Sequence, residues 1–250
     1  MFALAGKACV VTGASRGIGR AIALRLARDG MAVVATARDE AALNSLVTEI
    51  KAGGGKAAWT PLDLRWPDTP STLVEFALET FGRIDIVVNN AGATRRGDFL
   101  TLTDDDWEDG FALKFFGAMR LTRTAWLQLE KNSGSVVFIS GIGGRTPGAE
   151  FAIGGSVNAA ILSLTKALAE RGIREGVQVN TINPGAIRTD RFANWLRNYG
   201  SEEEFVREHG IVRVGEPADV ADLVAYIVGP SGRFLQGSII DLDGGETKTI

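Results

Sequence analysis

The sequence predicts an α/β fold, a parallel sheet enclosed between two layers of helices, and three observations carry that reading. Short runs rich in Val and Ile alternate with longer segments of helical spacing from one end of the chain to the other. Those short runs are apolar throughout rather than at every second residue, the pattern of strands covered on both faces. A glycine-rich turn joins the first such run to the first helical segment, as a strand that turns tightly into a helix requires. Alternation of this kind forms one sheet through crossovers that lay helices on both of its faces.

The elements follow in order. Ala8–Thr12 is the first strand, and Thr12-Gly13-Ala14-Ser15-Arg16-Gly17-Ile18-Gly19 leads from it into a helix over Gly19–Arg28. Ala32–Ala37 is the second strand and Glu40–Ala52 the second helix, which the chain leaves at Gly53-Gly54-Gly55 toward a next strand. Beyond it, Thr72–Phe81 has helical spacing, Ile84–Asn89 reads as a strand and Asp104–Leu129 as a helix. Strand Ser135–Ile139, helix Asn158–Arg171, strand Gln178–Ile182, helix Ala218–Val228 and strand Ser238–Asp241 complete the alternation. Thr103-Asp104-Asp105-Asp106 and Ser201-Glu202-Glu203-Glu204 are acid runs explained by helix starts, a capping hydroxyl followed by acids at the positive dipole end. The sum is a Rossmann-type doubly wound parallel sheet, three layers α/β/α, in a single domain over 1–250.

Bulk properties narrow the function. A net charge of −3 argues against a nucleic-acid surface, which needs an excess of Lys and Arg. The single cysteine, Cys9, lies in the first strand and reads as a small core hydrophobe in a reducing compartment. One histidine and one cysteine leave no ligand cluster for zinc, so no metal is expected. No run of about 18 consecutive apolar residues occurs, and the segment before the first strand is too short for a signal-peptide core. The expectation is a cytoplasmic protein with neither membrane nor nucleic-acid partner.

The turn after the first strand suits a pyrophosphate. Its glycines allow close backbone approach, and the helix beyond presents free N–H groups and a positive dipole end. The spacing is Gly-x-x-x-Gly-x-Gly. With Asn89-Asn90-Ala91-Gly92 after the strand ending there, Leu164-Thr165-Lys166-Ala167-Leu168-Ala169, Asn183-Pro184-Gly185-Ala186-Ile187-Arg188-Thr189 and Asp243-Gly244-Gly245, the chain resembles the short-chain dehydrogenase/reductase family over essentially its whole length.

That resemblance implies a nicotinamide dinucleotide and its contacts. Gly13, Ser15, Arg16, Gly17, Ile18 and Gly19 would hold the phosphates, and Asp63 and Leu64 would flank the adenine. Asn90, Ala91 and Gly92 would line the cleft, with Pro184, Gly185, Ile187 and Thr189 at the nicotinamide end. Asn89 has two readings, a tie between neighbouring strands or a cofactor contact. NADP is favoured over NAD on charge. Ala37 stands where NAD sites place an acid, and Arg38 and Arg16 flank it with guanidinium groups suited to a 2′-phosphate.

The resemblance also implies a catalytic set of Asn, Ser, Tyr and Lys, the last two spaced Tyr-x-x-x-Lys. Aligned on Leu164-Thr165-Lys166 and on 134–139, those positions fall on Lys114, Gly141, Gly154 and Asn158. All four differ from the set, and lysine and asparagine have exchanged places. Lys114 and Asn158 are therefore the candidate catalytic residues, with Lys114 expected in the nicotinamide cavity within reach of Asn158 or of the cofactor ribose. Gly141 and Gly154 are expected to enlarge that cavity. Lys114 sits in an uncharged segment, where an ammonium must snorkel, find a partner or lose its proton; Glu150 is one possible partner. Tyr226 reads as core. Tyr199 falls in a mobile, partly apolar substrate lid at about 190–212, from which it could swing inward.

Three functions fit these residues: an NADP-dependent oxidoreductase with a rearranged site, a catalytically silent NADP-binding partner, and a non-redox lyase or isomerase. Phe111–Phe116 and Met119 supply more large apolar side chains than one core-facing stripe needs, so a homodimer or homotetramer is expected.

Overall fold

The computed structural model describes residues 4–197 and 199–249. Its strands are β1 (Ala8–Thr12), β2 (Ala32–Ala37), β3 (Lys56–Pro61), β4 (Ile86–Asn89), β5 (Ser135–Ile139), β6 (Gln178–Pro184) and β7 (Ile239–Leu242). All pair in parallel, in the order β3-β2-β1-β4-β5-β6-β7. Strand order reverses between β1 and β4, and the crevice above such a switch point is where α/β sheets bind ligands. Helices α1 (Gly17–Arg28), α2 (Glu40–Ala52), α3 (Thr69–Phe81), α4 (Asp104–Phe111), α5 (Ala118–Lys131), α6 (Ala152–Glu175), α7 (Asp190–Leu196), α8 (Glu202–His209) and α9 (Pro217–Val228) complete the described elements.

Successive residues of each strand serve opposite faces. Cys9, Val11, Val33 and Ala35 join Ile22 and Leu26 of α1, Leu43 of α2 and Val224 of α9 in one core. Val10, Val34, Val136 and Phe138 join Leu73 of α3, Leu121 of α5 and Val157 of α6 in the other. Burial drives the Cys9 thiol far above its ordinary range, which fits an inert core side chain.

Several elements differ from the sequence reading for identifiable reasons. Strand β3, Lys-Ala-Ala-Trp-Thr-Pro, pairs with β2 along its whole length despite holding neither Val nor Ile, because it is an edge strand with both ends exposed. Helix α6 begins six residues earlier than its periodicity suggests, through Gly154 and Gly155, which packing fixes where propensity disfavours it. By length and composition α6 could also cross a membrane, yet Ile153, Val157 and Ile161 lie fully within the second core. Asp104–Leu129 is not one α-helix: α4 passes into a π-helical turn at Ala112–Gly117 before α5 begins. Phe111, Leu113 and Phe115 of this stretch pack on the core. The exposed excess there reduces to Phe116, whose ring carries the Arg120 guanidinium at 5.2 Å. Tyr226 is not core; it is 51% exposed on the outer face of α9.

Candidate active site and cofactor cleft

The glycine loop is shaped by close approach to the strand beside it. Gly13 and Gly17 have φ of +64° and +53°, where a side chain is strained. A Cβ on Gly19 would lie 2.3 Å from the Gly13 carbonyl oxygen, so α1 packs on the loop only with glycine there. Asn90 Nδ2 donates to the carbonyls of Thr12 (2.9 Å) and Gly13 (3.2 Å), while Thr12 Oγ1 accepts from the N–H groups of Asn90 and Ala91, both at 3.0 Å. Asn90 thus braces the loop from β4. Helix α1 has no acid in its first turn, which leaves its positive end unopposed for an anion. Ile18 packs on the core, and Ser15 stays partly exposed in the loop.

Opposite this loop, Pro184 ends β6, and Gly185 passes so close to Asp243 that a Cβ would meet Asp243 Cβ at 2.7 Å. Ile187 buries its side chain and forms a parallel bridge with Gly215. Thr189 caps α7 through Oγ1 and rests its methyl 3.2 Å from where a Gly17 Cβ would stand. Arg16, Gly17, Arg188, Thr189, Asp190 and Ala193 line the cavity between the loops, about 380 Å³.

At the adenine end the two arginines expected to converge do not. Arg38 stands 3.8 Å from Asp63, and Arg16 stands 3.6 Å from Asp190 across the cleft. Both are long, solvated cations that pair with the nearest carboxylate. Asp63 is held further by Arg65 at 3.2 Å, and Leu64 is buried against Gly117. Asn89 reaches neither a neighbouring strand nor the cleft. Its Nδ2 donates to Thr122 Oγ1 of α5 at 2.9 Å, and its Oδ1 is buried without a partner.

Of the four positions expected for the catalytic set, Lys114 and Asn158 bond directly, while Gly141 lies against Asn158 and Gly154 against Phe151. Lys114 lies in the π-helical turn, where the extra residue per turn redirects side chains and where such turns serve function. Its stem crosses Gly92: a Cβ there would lie 2.8 Å from Lys114 Cδ. Its Nζ donates to the Ser140 carbonyl at 2.8 Å and to Asn158 Oδ1 at 2.6 Å. Burial, with the Arg191 charge second, lowers the amine from 10.5 to about 7. Ser140 Oγ turns away to the Asn158 carbonyl at 3.3 Å, as strand alternation requires. Its main-chain oxygen holds the lysine, a contact no side-chain reading foresees.

The two glycines do not enlarge the cavity as expected, because neighbouring side chains fill both places. A Cβ on Gly154 would stand 2.1 Å from the Phe151 ring, and one on Gly143 would stand 2.8 Å from it, so Phe151 fills that space. At Gly141 the space is taken by Asn158, whose Nδ2 lies 3.0 Å from the place of the absent Cβ. Arg96 stacks over Phe151 at 4.1 Å and over Trp195 at 5.5 Å. Glu150 acts on Arg96 rather than on Lys114. Around the lid, Trp195, Tyr199, Phe205 and His209 pack edge to face or stacked, with Trp195–Phe205 at 4.8 Å and Phe205–His209 at 3.9 Å. Tyr199 is held in that cluster. Phe151, Arg96 and Arg191 escaped the sequence reading; the pair Arg95-Arg96 just beyond Asn89–Gly92 was the available signal.

Comparison with known proteins places the whole architecture. The family model described as enoyl-(acyl carrier protein) reductase matches residues 13–247. An uncharacterised oxidoreductase of Mycobacterium tuberculosis is 36% identical over 99% of this chain and 94% of its own length. The NADPH and L-sorbose complex of L-sorbose reductase from Gluconobacter frateurii superposes with a TM-score of 0.94 at 28% identity, over 100% of this chain and 99% of that one. An NADPH-bound short-chain oxidoreductase from Pseudomonas aeruginosa, described as containing an atypical catalytic center, gives 0.92 at 26% identity and 98% of each chain. Glycine loop, switch-point cleft and these matches agree: the chain belongs to the short-chain dehydrogenase/reductase family.

Proposed function

We propose that this chain is an NADP-dependent oxidoreductase acting on a carbonyl or its alcohol, with Lys114 moving the proton in place of a tyrosine. The observation that carries this reading is the pair of contacts from Lys114 Nζ to Asn158 Oδ1 and the Ser140 carbonyl. They fix an amine of pKa about 7 at the edge of the cofactor cleft.

The residues present fit the cofactor. Glycine fills the places where a Cβ would block the loop, the first turn of α1 lacks acids, and Ala37 and Arg38 replace the ribose-binding acid. NADPH, a known ligand of the Gluconobacter and Pseudomonas neighbours, would supply the hydride when bound.

The chain's own residues supply the rest. Two N–H groups of the Lys114 ammonium are committed to Asn158 and Ser140, which leaves a third for a substrate oxygen. That proton passes to the oxygen as it gains charge, and the neutral amine recovers a proton from water. A group titrating near neutral pH suits both directions of that transfer. Asn158 orients the lysine through Oδ1. Its Nδ2 lies 3.0 Å from the place of a Cβ at Gly141 and takes the space a serine there would use.

One observation favours the silent-binder reading: Phe151 covers the Gly154 face of the helix. Calorimetry with NADPH and NADH, followed by a carbonyl screen at the nicotinamide absorbance, separates the two. Tight NADPH binding with turnover supports the oxidoreductase; binding without turnover across the screen supports the silent partner. Assembly into a closed homo-oligomer and a cytoplasmic location belong to the same proposal.

A further inference from the structure

Five arginines line the cleft, and three of them pair with carboxylates. Arg16 pairs with Asp190 at 3.6 Å, Arg95 with Asp106 at 3.0 Å, and Arg188 with both Glu202 and Glu216. Arg96 and Arg191 are different. Among the described residues no carboxylate lies within 4.0 Å of either guanidinium.

Their positions converge on the reacting volume. Arg191 opens α7 and reaches across the cleft, its Nη2 donating to the Gly92 carbonyl at 2.9 Å. Gly92 is the residue over which the Lys114 stem passes. Arg96 holds its guanidinium carbon 4.1 Å from the Phe151 ring centroid and 5.5 Å from that of Trp195, a cation–π position that leaves N–H groups for an anion. Both residues are exposed at the mouth of the cleft, and two cations without carboxylate partners repel each other. Burial lowers both below the ordinary arginine range, with Arg96 and Arg16 adding repulsion at Arg191 and Glu150 partly offsetting it at Arg96. A bound anion relieves that repulsion.

We propose that Arg96 and Arg191 form an oxyanion-recognition pair at the mouth of the active site, so that the substrate carries a carboxylate or phosphate. This deepens the oxidoreductase reading and rests on it for the identity of the reacting group. The planar guanidinium fork matches either oxyanion through paired N–H bonds. The same geometry couples recognition to chemistry. An anion on Arg191 cancels the charge that opposes protonation of Lys114, so substrate binding raises the fraction of lysine able to donate a proton.

The test uses the full chain saturated with NADP and three probes of one shape: benzoate, phenyl phosphate and benzamide. Calorimetry should show one of the two anions binding at least tenfold more tightly than benzamide, and which anion does so assigns the oxyanion. Arg96→Met and Arg191→Met should each weaken that anion at least tenfold, while Arg197→Met, just past the end of α7, leaves it unchanged. Equal affinity for all three probes overturns the proposal. So does an Arg191→Met variant that loses tenfold or more in NADPH affinity with its anion affinity intact, because Arg191 would then serve the cofactor. None of these readouts needs turnover. Anion binding in a protein that reduces no carbonyl would sustain the pair and refute the redox reading alone.

Discussion

Replacing Asn158 by Asp would turn the shortest contact of Lys114 into an ion pair, and the titration of the lysine would report the change. In the wild-type site burial outweighs every other influence and brings the amine to about 7 from 10.5, roughly 5 kcal/mol in favour of the neutral form at most. A carboxylate at the present 2.6 Å favours the charged form and should lift the midpoint to about 8–10. Lysine labelled with 13C and 15N, titrated by NMR and assigned with Lys114→Met, reads this directly. Stability gives the same answer with a definite sign. The folded pKa lies below the unfolded one, so the unfolded chain binds the extra proton between pH 7 and 10.5, and unfolding free energy from this group rises with pH through that window. The penalty is complete below pH 7 and absent above 10.5. Denaturant midpoints of wild type relative to Lys114→Met should therefore climb from pH 7 to 10, and the climb should shrink in Asn158→Asp. A wild-type midpoint near 10.5, or one unmoved by Asn158→Asp, would refute the reasoning.

Three further outcomes are expected. Gly154→Tyr should lower stability by about 1–3 kcal/mol and gain no reductase activity, because its Cβ meets Phe151; Phe151→Ala in the same chain should recover most of the loss in a thermal melt. Arg38→Ala should weaken NADPH about tenfold, the loss of one charge-assisted bond, and leave NADH within twofold by calorimetry. Light scattering at micromolar concentration should give a multiple of the 26.6 kDa chain mass; a clean monomer would end the assembly proposal.

The fold was legible because burial on both faces writes itself into composition. Val10, Val11, Val33, Val34 and Val136–Ile139 are apolar in a row for that reason. Strand β3 was illegible in detail because an edge strand owes its form to hydrogen bonds with β2 rather than to Val or Ile. The cofactor loop was readable from its glycines, each required by an approach of 3.2 Å or less at Gly13, Gly17 and Gly19. Around Lys114, spacing located the residue while geometry alone revealed the Ser140 carbonyl and the ring of Phe151. Phe151 lay outside the helix read from the sequence, which began at Asn158. Only the fold shows it lying between two glycines, and only the fold brings Arg96 and Arg191, 95 positions apart, to one mouth.

The role of Lys114 is tested most directly by the pH dependence of kcat/KM for NADPH-dependent carbonyl reduction in wild type and Lys114→Met. Wild-type activity should be level below pH 7 and fall tenfold per pH unit above it, as the lysine loses the proton it must give. Lys114→Met should be slower by about 100- to 10,000-fold, the usual contribution of a general acid, and its profile should be flat. Wild-type activity that stays level through pH 9, or a Lys114→Met enzyme that keeps the wild-type rate, would contradict the assignment.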